Sequence, residues 1–270
     1  VNWMMLRGFY SFTKQWGNQT LQWTNQHQWF KSKWYTSAGL FYTHRVRRWV
    51  FKTSLQKTYR LPSLNELYWD QPGASGNENL LAETGYAFNG EAATNVKAFT
   101  FSVNPFVGWY NNLIAWQYLN QTLKPINQRR LFNYGFIGKG IYRKKLSLGV
   151  IEVTQNIHVV RSVYNDRYES STLGMQQIFT PLITSNNVIS IQRNRFQAYV
   201  GQQLIGTNYT TRDNTSFTEP YWLLDVGIGY TVRKWTASLV GQNLFNHAYF
   251  TIPSQAMPGR NININIQFNL

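Results

Sequence analysis

The last ten residues, NININIQFNL, alternate without exception. Ile262, Ile264, Ile266, Phe268 and Leu270 are apolar, and Asn261, Asn263, Asn265, Gln267 and Asn269 between them are amides. A period of two sends alternate side chains to opposite faces of an extended strand, so the segment is β with one apolar and one uncharged polar face. The pattern recurs. In YWLLDVGIGYTV, Trp222, Leu224, Val226, Ile228, Tyr230 and Val232 oppose Asp225, Gly227, Gly229 and Thr231. Phe99, Phe101, Val103, Val107 and Trp109 form another apolar set, as do Phe132, Tyr134 and Phe136, and Trp49, Phe51 and Leu55. A soluble sandwich buries such a face in its core, whereas a membrane barrel turns it to lipid and keeps amides in the lumen. Alternation alone leaves both open.

Composition narrows the choice. Charged residues make up 14% of the 270 and aromatics 17%, against roughly 25% charged in soluble domains. Mean hydropathy is nevertheless negative, at -0.39, because Asn, Gln, Ser and Thr fill the alternate positions. No stretch approaches the ~20 apolar residues of a transmembrane helix, whereas a membrane strand needs only ~9 to 11. The absence of Cys removes disulfides and thiolate metal sites. The opening VNWMMLRGF has no initiating Met and no signal-peptide layout, so the chain is expected to be processed or incomplete. Lys and Arg number 26 against 11 acids, a net charge of +15. The cations fall in RVRR (45–48), YRKK (142–145), RNR (193–195) and RK (233–234). Separate short turns point to a solvated rim or lipid headgroups rather than nucleic-acid readout.

Turn signals cut the chain into about thirteen strands, near 3–13, 19–29, 34–45, 49–60, 78–89, 96–114, 127–142, 146–160, 180–192, 195–209, 220–232, 235–249 and 261–270. No helical pattern of useful length interrupts them. Long polar loops near 61–77, 115–126, 161–179, 210–219 and 250–260 alternate with short turns near 46–48, 90–95, 143–145, 193–194 and 233–234. An all-β, antiparallel up-and-down sheet puts successive connections at opposite ends. One end then carries long loops and the other tight turns, as in outer-membrane barrels; a Greek-key sandwich gives no reason for this. Trp49, Trp109, Tyr110, Trp235, Tyr249 and Phe250 at strand ends suit aromatic girdles at two interfaces.

Two segments then carry a family resemblance. YRLPSLNELYWDQPGASGNENLLAETGYAFNGE holds Arg60, Pro62, Ser63, Leu64, Asn65, Glu66, Leu67 and Tyr68, followed by Gly76, Asn77, Leu80 and Glu83. It resembles the barrel segment of TonB-dependent outer-membrane receptors. The closing NLFNHAYFTIPSQAMPGRNININIQFNL, with Asn243, Leu244, Phe245, Asn246, Tyr249, Pro258, Gly259, Arg260 and Asn261, resembles the same family's last two strands. YNNLIAW (110–116), IFTP (178–181) and TNYTTRDNT (207–215) are similar to its cobalamin-receptor branch. Lys57, Thr58, Leu61 and Leu270 depart from the family pattern.

The resemblance implies a transmembrane barrel of about twenty-two strands, as large outer-membrane transporters have, of which residues 1–270 would be a C-terminal portion without the plug domain. It implies the Gram-negative outer membrane as location and import of a large scarce solute, cobalamin or siderophore-like, as function. The expected partners are outer-membrane lipid, the solute and the TonB complex, reached through a plug outside this chain. A surface lipoprotein or a second barrel chain is left open, and nucleic acid is not expected. The alternative is a non-transporting barrel component of a multi-chain assembly, or a split or truncated receptor. An odd strand number would leave an unpaired edge, costly in lipid.

Bond chemistry is not expected. The acids are scattered, His27, His44, His158 and His247 lack ligand spacing, and no nucleophile or phosphate-binding motif is present, so no catalytic residue, metal or cofactor is assigned. Ligand capture would fall to aromatic and polar residues of the long connections: Trp69, Asp70, Trp116, Tyr118, Tyr164, Tyr168 and Tyr209.

Overall fold

The computed structural model describes residues 6–119, 121–165, 170–252 and 255–268. Thirteen long strands among them, named here in chain order, are β1 (Leu6–Trp16), β2 (Gln19–Phe30), β3 (Lys33–Val46), β4 (Trp49–Arg60), β5 (Glu83–Val96), β6 (Phe99–Leu119) and β7 (Thr122–Leu146), then β8 (Gly149–Tyr164), β9 (Ile183–Arg193), β10 (Phe196–Ile205), β11 (Tyr221–Val232), β12 (Trp235–Gln242) and β13 (Asn261–Phe268). They hydrogen-bond in chain order, giving the antiparallel up-and-down sheet that the alternation implies. One short helix, α1 (Leu64–Tyr68), interrupts the β-structure where no helix was expected.

Several sequence expectations need correction. Residues 115–126 are not a loop: β6 and β7 extend as long strands to a turn at Gln121, φ 66. The turns placed at 90–95 and 143–145 lie at 97–98 and 147–148. The strand read as 78–89 begins at Glu83, and that read as 235–249 ends at Gln242. The alternation of long and short connections also has exceptions, since Lys31–Ser32 is a two-residue turn at the long-loop end, with both φ values positive. Lys31–Ser32 and Lys97–Ala98 lack the Gly or Asn that usually marks such a turn.

The chain divides into two compact units. Unit 1 is Val1–Glu91, Pro105–Tyr134 and Ser162–Met175; unit 2 is Ala92–Asn104, Gly135–Arg161 and Gln176–Leu270. In unit 1 the register lines up Phe12, Trp23, Leu40 and Leu55 across β1–β4, and sets Ser11, Thr24, Gly39 and Gln56 on the opposite face. Its buried apolar cluster is small: Phe30, Leu67 and Leu80, packed by Tyr35, Leu61, Tyr68 and Ile114 at the loop end.

In unit 2 one apolar row runs Ile151, Ile191, Ala198, Ile228, Leu239, Ile264 across six strands. The adjacent row on the other face is Gln192, Gln197, Gly229, Ser238 and Asn265. The apolar rows have no protein cover. Ile262, Ile264 and Ile266 are 67%, 75% and 70% exposed. On the polar face Asn263 donates to Asn261 Oδ1 at 2.7 Å and Gln242 Oε1 at 3.3 Å. A water-soluble sheet would bury these isoleucines; uncovered apolar rows backed by amides suit hydrocarbon on one side and water on the other.

Candidate functional site

In unit 1 the connection after β4 is fixed by one cation between two carboxylates. Arg60 Nε donates to Glu83 Oε2 at 2.7 Å, and its Nη1 and Nη2 donate to Glu66 at 3.0 and 3.1 Å. A further Nη2 contact reaches Glu83 Oε1, which also accepts the Ile114 amide at 2.8 Å. Pro62 cannot donate to a ladder, so the strand leaves the sheet there. Ser63 then caps α1: its hydroxyl accepts from Glu66 N, and Glu66 Oε2 accepts the Ser63 amide at 2.7 Å. Partial burial pushes the Glu66 carboxyl up, but Arg60 and the Ser63 amide outweigh it and hold Glu66 below the usual carboxylate range. Gly76 donates its amide to Trp69 O at 2.6 Å, and a Cβ there would lie 2.6 Å from the Leu67 carbonyl. Arg60, Ser63, Glu66, Gly76 and Glu83, all within the stretch carrying the resemblance, are therefore one framework.

That framework presents Trp69 and Asp70. Trp69 ends α1 and is 37% exposed; Asp70 opens a two-residue ladder with Ser75. The ladder continues onto β7 through Ala74 opposite Leu123, beside the tip to which β6 carries Trp116 and Tyr118. Tyr118 is 76% exposed. Tyr164, in the same unit, is packed rather than presented, at 2% exposure, with its amide on Met175 O. Tyr168 lies outside the described residues.

Unit 2 forms a cleft that the sequence reading did not assemble. Asn243, φ 48 and nearly buried, donates its amide N–H to Asp225 Oδ1 at 2.9 Å and exchanges side-chain bonds with the His247 backbone, both 2.9 Å. Asn246 Oδ1 accepts the Arg260 amide at 2.9 Å. These asparagines hold 243–247 and Arg260 so that Tyr249 meets Tyr221, ring centroids 4.6 Å apart. The result is a pocket of about 490 Å³ walled by Phe217, Tyr221, Tyr249 and Phe250, with Glu219 and His247 as its ionisable groups. A contiguous space of about 390 Å³ shares Thr218, Tyr221 and Phe250 and adds Asn208. Asn208 is 8% exposed, and its Oδ1 has no hydrogen-bond partner among the described residues. An acceptor so placed is open to a donor from water or from a ligand. Tyr209, next to Asn208, stands edge-on to Phe217 at 6.2 Å. Of the sequence candidates among the described residues, it alone adjoins this cleft. Phe217 comes from the connection before β11, Tyr221 from the first residue of that strand, and His247 to Phe250 from the connection after β12, so no local pattern announced the pocket.

Comparison with known proteins places these units in context. Residues 8–244 match the family described as TonB dependent receptor-like, beta-barrel. No curated protein matches significantly. Among solved structures, the chain is similar to the copper transporter OprC (TM-score 0.81, 12% identity, 98% of this chain and 47% of that one). It is also similar to the ferric yersiniabactin uptake receptor FyuA from Yersinia pestis (0.73, 16%, 98% and 45%) and the siderophore receptor PirA from Acinetobacter baumannii (0.79, 13%, 98% and 45%). The chain therefore spans less than half the length of these structures.

Proposed function

Because the chain belongs to the TonB-dependent receptor-like β-barrel family, we propose that it supplies a C-terminal part of the barrel of an outer-membrane receptor importing a large scarce solute. Family members are outer-membrane β-barrels of Gram-negative bacteria. A plug domain outside this sequence would couple the barrel to the TonB complex, and the solute would be captured at the long-loop end. What carries this reading is the coincidence of family match, uncovered apolar rows and aromatic loop surfaces in each unit.

The pocket chemistry bears on the solute. Aromatic walls, one carboxylate and an unpartnered amide acceptor favour a broad, partly apolar molecule rich in N–H or O–H donors. An amide-bearing corrinoid such as cobalamin meets that description, and so does a neutral siderophore; a polyanionic chelate does not. Uptake of labelled cobalamin and of labelled iron siderophores is to be compared in cells with and without the gene. Loss of one uptake, with weakened binding in Tyr221→Ala/Tyr249→Ala, supports import. Unchanged uptake of every solute tried would leave the second reading, a non-transporting barrel component, as the better account.

A further inference from the structure

We propose that the tight-turn rim of unit 2 is a binding surface for anionic phospholipid headgroups. The basic clusters are far apart in sequence, but in an antiparallel order every second connection lies at the same end. The turn at 97–98 brings Lys97, and the end of β7 brings Lys144 and Lys145. The turn between β9 and β10 adds Arg193 and Arg195, and that between β11 and β12 adds Arg233 and Lys234. All are exposed. Among the described residues, the strand ends meeting at this rim carry one carboxylate, Glu152, which faces Arg143 at 3.7 Å.

Directly beside the cations stands a layer of aromatics on the apolar face, exposed at Phe99, Trp235 and Phe268. Phe99 packs on Tyr142 at 4.6 Å and Trp235 on Phe268 at 4.7 Å, with Lys234 Nζ 5.9 Å from the Phe268 ring. Interfacial rings fix the depth of a bilayer, and Lys and Arg one or two residues further reach the phosphate level. By strand alternation Lys144 continues the face of Tyr142, and Arg193 that of Ile191. Backbone conformation adds an independent observation. Lys97 and Arg233 both have φ 53, a left-handed conformation that Gly or Asn adopts at less cost. Cations therefore occupy turn positions that backbone preference alone would give to other residues. Tight turns of outer-membrane barrels face the periplasm, where the adjoining leaflet is phospholipid, so the partner is an anionic phospholipid rather than lipid A.

The inference rests on the outer-membrane reading. Its test places the protein in bilayer discs of phosphatidylcholine alone, with phosphatidylglycerol added, or with lipid A added, and counts retained lipids by native mass spectrometry. Each rim cation is expected to contribute on the order of a fivefold preference at low salt. Wild type should therefore retain phosphatidylglycerol over phosphatidylcholine by about tenfold or more, and the preference should shrink as salt shortens the screening length. Lys144→Gln/Arg193→Gln/Arg195→Gln/Lys234→Gln should cut it by about tenfold or more. Lys97→Asn/Arg233→Asn should preserve or raise thermal stability, since Asn accepts that conformation, yet still weaken the preference. Equal retention of the two phospholipids, a preference unchanged in both variants, or stronger retention of lipid A overturns the inference while the outer-membrane reading stands. Failure to enter even neutral bilayers refutes both.

Discussion

Replacing Arg60 by Ala should open the connection after β4 while leaving the strands in place. The guanidinium serves two carboxylates that are themselves mostly buried: side-chain exposure is 46% for Arg60 but 13% for Glu66 and 15% for Glu83. Exposed pairs contribute about 0 to 1 kcal/mol, whereas removing one partner of a buried pair costs about 3 to 5 kcal/mol. An arginine half in water with partners mostly buried falls between, at about 2 to 3 kcal/mol. Truncation would also leave Glu66 and Glu83 facing each other without a cation. The assay is native-state hydrogen exchange at the Ile114 amide, held by Glu83 Oε1, and at the Asn77 amide, held by Glu66 O. The expected acceleration is about 30- to 150-fold. Adding Glu66→Gln and Glu83→Gln to the Arg60→Ala background should recover part of it, because the repulsion disappears. Exchange less than about threefold faster, or a triple variant worse than Arg60→Ala, would show that the ion cluster does not hold the connection.

The same amides report pH dependence: the folded Glu66 carboxyl titrates below its ordinary 4.5, so its contribution is complete above that value and lost as pH falls through the folded pKa. Exchange corrected for intrinsic rate should accelerate below about pH 4.5 and stay flat from there to neutrality; acceleration confined to neutral pH contradicts the assignment. Gly76→Ala should cost about 2 kcal/mol or more by forcing Leu67 backbone away, read as protease cleavage within 61–82, and normal resistance counts against the close approach. Ile264→Lys, in the uncovered row, should destabilise the lipid-embedded protein by about 2 to 4 kcal/mol, while Asn265→Lys on the amide face is tolerated; equal effects in a urea titration would mean the two faces see the same solvent. Asn208→Ala should weaken solute binding without lowering stability, and an unaltered affinity in fluorescence quenching would remove Asn208 from the site.

How far the sequence reaches can be judged from particular residues. Ile262, Ile264 and Ile266 declare their face because strand geometry alternates side chains locally, and that suffices for all-β structure with one apolar side. Most strand boundaries were legible for the same reason. The turn at Gln121 was not, because polar residues of extended β6 and β7 read like a loop. The candidate rings of Trp69 and Tyr118 are exposed, although Tyr118, like the half-buried Trp116, stands on strand β6 rather than in the loop expected there, and the depth at which Tyr164 is buried was not legible.

What local pattern cannot encode is which distant residues meet. Glu83 reaches Arg60 only through the pairing of β5 beside β4. Tyr221 meets Tyr249 only after Asn243 has folded the connection between β12 and β13. The scattered basic turns of unit 2 become one rim only because strand order returns them to the same end. The sequence by itself determined the strands and their two faces, through a two-residue period of the backbone. The ion cluster, the cleft and the charged rim were decided by register and strand order, which depend on contacts between residues remote in the chain.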